Sequence, residues 1–149
     1  MTDHRHEGFE VPPGKLDGWG VDTALLGHLV GAAYDECPSC QEALLTLLAE
    51  SAATTAQLVE LACIAVRETL GGIPVDLVDT ADPDSPVPIG FRRLALSVVE
   101  NTEPAALTAQ CVGLPATERQ AAARTATTLF VGEMRAAGHG FDDVRRQQI

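Results

Sequence analysis

Residues 37–70 read CPSCQEALLTLLAESAATTAQLVELACIAVRETL, and this stretch decides the fold. Leu44, Leu47, Leu48, Leu58, Leu61, Ala62 and Ala65 recur at three- and four-residue intervals, the period of a helix. Leu45 and Val59 fall off that stripe, which implies burial on more than one face. Pro38 suits a first helical position, where its missing N–H is no loss. Ser51, Thr54 and Thr55 interrupt the apolar run, so the spacing predicts a break there and a second, capped helix closing at Gly71-Gly72. A membrane span is disfavoured, because Glu50 sits mid-stretch and Gln57 and Glu60 follow. An acid at the centre of a span costs about 2.5–3.5 kcal/mol. The stretch reads as two buried helices of a soluble core.

The flanking segments look built to pack against it. Asp22 or Thr23 can cap a helix running to about Tyr34, with Leu25, Leu26, Leu29, Val30 and Ala33 on its apolar face. Gly27 and Gly31, four apart, offer a place for another helix to approach closely. Residues 73–79 read as a short extended piece, and residues 80–88, with three prolines and two aspartates, as an exposed loop. Phe91, Leu94, Ala95, Val98 and Val99 make the next helical stripe, ending near Asn101. Pro104 opens a short helix that Gly113 closes. Thr117-Glu-Arg-Gln120 has the form of a capping box, starting a helix to about Ala137 that buries Ala122, Ala126, Leu129, Phe130 and Met134. The expected architecture is all-α: five to seven helices in residues 21–138, an N-terminal arm over 1–20, a Pro/Asp-rich central loop and a polar tail over 139–149.

A chain of 149 residues, 46% hydrophobic, fits one domain. Aromatics make up only 4%, so Leu, Val and Ala must fill the core. Ten basic residues against 21 acidic ones give a formal net charge of −11, a field that repels nucleic-acid phosphate. No nucleic-acid partner is expected, and no membrane partner. The first residues lack the apolar stretch of a secretory signal. With four cysteines in the chain, a reducing cytoplasm is the expected compartment.

The sharpest chemical feature is Cys37-Pro-Ser-Cys40. It resembles the dithiol motif of glutaredoxin-like proteins, which implies a first cysteine activated by a helix N-terminus. The likeness spans these residues alone. A thioredoxin-type fold places a buried strand before the motif, whereas residues 25–34 have helical spacing, and Asp35 and Glu36 oppose a thiolate. The same pair has the spacing of a zinc knuckle, whose remaining ligands must come from Cys63, Cys111, His4, His6, His28 or His139. As packing residues, the two cysteines are small hydrophobes at a helix start. Cys63 and Cys111 lie within apolar runs. Asp76, Asp79, Asp82 and Asp84 lack the spacing of a calcium loop. No phosphate loop, nucleophile elbow, H-E-x-x-H or E-x-x-H pair is present.

Three functional expectations follow. The first is a non-catalytic helical interaction or assembly protein, a subunit of a larger particle such as a virion, using a protein partner or self-association. Phe9 and Trp19 are its interaction candidates, either clipping the arm to the body or docking on another subunit. The second is a thiol-redox or zinc-stabilised protein using Cys37 and Cys40. The third is a regulator that binds a small molecule between helices.

Overall fold

A computed structural model describes Phe9, Leu16 and residues 18–137. The architecture is all-α, a multi-helix bundle without strands among the described residues. Its helices are α1 (Thr23–Tyr34), α2 (Pro38–Leu48), α3 (Ala52–Leu70), α4 (Ile89–Val99), α5 (Pro104–Val112) and α6 (Ala116–Ala137). None of them is long and apolar enough to cross a membrane.

The stretch 37–70 divides where its polar residues interrupt the leucines. Ser51 caps α3, its hydroxyl accepting from the Thr54 N–H at 3.2 Å. Thr55 donates to the Leu48 carbonyl at 3.1 Å, tying the new helix to the end of α2. Gly71 closes α3 in the left-handed conformation, φ +79. Between these caps α3 is the hub of the bundle. All residues from Ala53 to Cys63 are buried, and α6, α5, α4, α1 and α2 all pack on it. Ala53, Ala56 and Ala62 keep its girth small enough for neighbours on several faces. Leu58, Val59 and Leu61 supply the apolar burial, about 1.5–3 kcal/mol for each such side chain. α6 is its principal partner, and contributes Ala122, Ala126 and Phe130. Leu129 and Met134 pack at the margin of the same core.

Helix ends are tightly specified. Asp22 caps α1 by accepting from the Leu25 N–H at 3.0 Å. α1 ends in a Schellman turn, with Glu36 in left-handed conformation (φ 55). There the Cys37 N–H bonds the Ala32 carbonyl and the Glu36 N–H bonds the Ala33 carbonyl. The turn delivers Cys37 directly to the N-cap of α2. α4 ends the same way on Asn101, φ 58. Arg119 joins two other ends: its Nε donates to the Ala49 carbonyl at 2.9 Å and its Nη1 to Leu114 O at 2.9 Å. A cation thus sits where the carbonyl ends of α2 and α5 meet.

Three expectations are corrected. The extended piece expected over residues 73–79 contains a 3-10 turn, Val75–Leu77, with Leu77 N–H bonded to Pro74 O and Val78 N–H to Val75 O. Thr117 is not a cap, because α6 already starts at Ala116 and its first bond runs from Arg119 N–H to the Pro115 carbonyl. The close approach at Gly27 is made by the arm's backbone. Phe9 N–H donates to Gly27 O at 3.2 Å, and a Cβ on Gly27 would stand 2.3 Å from Phe9 O. The tail over 139–149 lies outside the described residues.

Candidate functional site

Where α3 runs out of its buried face, an open cleft of about 480 Å³ forms. One bank is helical: Val66 and Leu70 from α3, Leu129 and Glu133 from α6. The other is the connection between α3 and α4, contributing Pro74, Asp76, Leu77, Asp82, Ser85, Pro86 and Val87. The floor is largely aliphatic. Among the described residues that line the cleft, the charged ones are Asp76, Asp82 and Glu133. Leu70 is 60% exposed, and Val75, next to the lining residues Pro74 and Asp76, is 70% exposed.

The loop bank is held in shape by its own polar groups. Asp79 accepts from the Ala81 N–H at 3.0 Å and Asp82 from the Asp84 N–H at 2.9 Å, while Ser85 Oγ accepts from the Val87 N–H at 3.2 Å. These local bonds mimic backbone turns. The loop aspartates are therefore turn-forming groups as well as surface charges. Beneath them lies Arg92, only 5% exposed in the first turn of α4. Its Nε donates to the Val87 carbonyl at 2.9 Å, and its Nη1 to Asp79 O at 2.7 Å and Asp82 O at 2.9 Å. One guanidinium thus fastens both ends of the loop. On the far side of the loop a more open hollow of about 470 Å³ is lined by Pro83, Pro86, Pro88, Arg92 and Arg93 among others.

The cysteine pair lies elsewhere, at the start of α2. Both thiols are half-buried. Cys37 occupies the N-cap without a side-chain capping bond, and its Sγ lies 3.7 Å from Ser39 Oγ. Hydrogen bonding with Cys37 is the main influence raising the Cys40 thiol above its ordinary value. An activated nucleophile needs the opposite shift. Among the described residues no group of three or more His, Cys, Asp or Glu side chains converges as a metal site requires. Cys63 and Cys111 are core residues, and burial pushes their thiols up to about 12 and about 11. His28 faces solvent on α1. His4, His6 and His139 lie outside the described residues.

The two interaction candidates part company. Phe9 is buried in its own chain, edge-on to Tyr34 with ring centroids 5.9 Å apart. Leu16 is fully buried too, and its N–H donates to Gln57 Oε1 at 3.3 Å. Trp19 remains 49% exposed on a turn closed by its N–H to the Leu16 carbonyl. Sequence reasoning missed the cleft and the role of Arg92. The available signals were a cation inside the apolar stripe that begins at Phe91, directly after a proline-rich loop, and a large apolar residue, Leu70, beside Gly71-Gly72. Comparison with protein families, with curated proteins and with solved structures finds no match to this chain.

Proposed function

We propose that the chain is a non-catalytic interaction module that holds a partner protein on the cleft between α3, α6 and the 73–88 connection. The observation that carries this reading is Leu70, an aliphatic side chain of the cleft lining that stays 60% exposed beside an apolar floor, with Val75, 70% exposed, next in sequence to the lining residues Pro74 and Asp76. Exposed apolar surface grouped around a concavity is the usual mark of a docking face. The cleft's polar groups support binding over chemistry. Ser85 is engaged in its own turn, and among the described residues lining the cleft none is a histidine or cysteine that could activate it. The setting that fits is a cytoplasmic assembly, a larger particle such as a virion included, where the four thiols stay reduced. Nucleic acid is a poor partner for a chain of net charge −11.

A second reading is favoured by one observation. The cleft volume of about 480 Å³ lies in the range of small-molecule sites, which suits a ligand-binding regulator. A photo-crosslinking residue placed at position 70 tests the two. The docking reading expects an adduct of protein size in the source cells, and loss of that adduct when Val75→Asp is added. Failure to form any protein adduct, together with a small molecule retained in native mass spectrometry, would replace it with the second reading.

A further inference from the structure

We infer that the segment seated in this cleft is basic and amphipathic, with apolar side chains on the floor and Lys or Arg reaching the carboxylates on both banks. The inference rests on the docking reading and adds the chemistry of the occupant. Charge is the first argument. Glu133 stands on the helical bank and Asp76 and Asp82 on the loop bank; none of the described lining residues is a cation, and the Arg92 guanidinium beneath the loop is engaged by the backbone carbonyls of Val87, Asp79 and Asp82. An uncharged apolar partner would desolvate three carboxylates without return, whereas a cation placed against each recovers that cost. The chain as a whole, at −11, steers a basic partner toward it and an acidic one away.

Extent is the second argument. Leu70, on the lining, is 60% exposed and Val75, outside it, is 70% exposed, so a ligand confined to the cavity leaves apolar surface wet around it. A longer chain segment lying along the cleft covers more of that surface. It would place apolar anchors at helical spacing between flanking charges, as amphipathic helices do in hydrophobic grooves. The bank that receives it is already formed: Arg92 and the turn-forming Asp79, Asp82 and Ser85 hold the loop without help from a partner. Less ordering entropy then opposes binding.

The probe is a short synthetic helix with Leu at positions i, i+3, i+4 and i+7 and Lys elsewhere, titrated against the full chain by fluorescence anisotropy. Controls are the same peptide with Glu in place of Lys, and dodecyltrimethylammonium below its micellar concentration. The Lys peptide should bind, the Glu peptide should not, and the small cation should compete only weakly. The triple variant Asp76→Asn, Asp82→Asn, Glu133→Gln should weaken the Lys peptide by at least about tenfold, the scale of one good contact. The change Asp82→Asn keeps a side-chain carbonyl for the Asp84 N–H, so circular dichroism of the variant should match the parent. Raising salt from about 0.05 M to about 0.5 M should weaken binding comparably, since exposed charges are screened over a few ångströms there. Equal binding of the Glu peptide, an unchanged affinity in the folded triple variant, or a small cation binding more tightly than the peptide would each overturn the inference. A protein adduct at position 70 with no affinity for the Lys peptide would overturn it while leaving the docking reading standing.

Discussion

Arg92→Met removes a guanidinium while keeping an unbranched apolar stem, and the structure fixes what is lost. Three donated bonds disappear, to Val87 O at 2.9 Å, Asp79 O at 2.7 Å and Asp82 O at 2.9 Å. Bonds to a charged partner are worth about 1.5–3 kcal/mol each, but they share one side chain and do not add. Asp82 is exposed, so its carbonyl regains water. Asp79 and Val87 are half-buried, and their carbonyls recover less. Against this, the variant no longer desolvates a cation. The balance is a loss of about 2–4 kcal/mol, a large share of the stability of an ordinary domain. At about 3 °C for each kcal/mol the melting temperature should drop by about 6–12 °C. Arg92→Lys should recover only part of this, because an ammonium lacks the fork that serves three carbonyls from two nitrogens. Urea unfolding followed at 222 nm gives the stability, and hydrogen exchange over residues 79–87 reports the loop. A stability change below about 0.5 kcal/mol with loop protection unaltered would refute the clamp, since it would match an ordinary surface substitution.

Other outcomes follow from the same structure. Gly27→Ala should destabilise the chain even though Ala is the better helix former by about 1 kcal/mol, because its Cβ would meet Phe9 O at 2.3 Å and expel the arm. Faster proteolysis near Phe9 would accompany the loss, and a more stable variant with unchanged proteolysis would contradict it. Cys63 stays protonated in the fold up to about 12, whereas the unfolded thiol ionises from 9.0. Stability fully present below pH 9.0 should therefore fall as pH rises toward 12. Cys63→Ala should flatten that fall in urea titrations, and parallel pH curves for variant and parent would rule out the mechanism. Cys37→Ser supplies the capping oxygen that the N-cap of α2 lacks, so it should be neutral or stabilising by up to about 1 kcal/mol. Stoichiometric zinc in protein purified without added metal, lost in that variant with much of the stability, would instead establish a metal site.

Helices were legible wherever local chemistry determines them. Asp22, Ser51 and Gly71 act through groups within a turn of themselves, so their roles appear in short windows of sequence. The division of residues 37–70 into two helices is legible for the same reason. Burial on more than one face was visible in Leu45 of α2 and Val59 of α3, which no single stripe accommodates, and both are buried. What failed was long-range or depended on count. Residues 73–79 carry Val, Leu and Ile, which suit a strand, but a strand needs a partner edge and the rest of the chain supplies helices. With no ladder available, Val75, Asp76 and Leu77 settle into a 3-10 turn after Pro74. At Gly27 the spacing to Gly31 pointed to another helix, and what approaches instead is the backbone of Phe9. Spacing has no means of saying that the approaching backbone belongs to Phe9.

The cleft was the least legible feature, because its banks are brought together from Val66, Asp82 and Glu133, far apart in sequence. Its cause is nonetheless written in one residue type at one place. An arginine on the buried face of α4 requires oxygen partners, and a helix interior supplies none to spare. The carbonyls had to come from an irregular segment. The adjacent segment has Pro83, Pro86 and Pro88, which remove backbone donors and leave carbonyls without helical partners. Pairing Arg92 with that loop satisfies both, and the same loop forms one bank of the cleft whose other bank is α3 and α6. A buried cation that serves loop shape and a neighbouring groove lined by carboxylates are therefore two consequences of one arrangement. Loosening the first should blur the second, so Arg92→Met should weaken Lys-peptide binding even where Asp76, Asp82 and Glu133 are all intact.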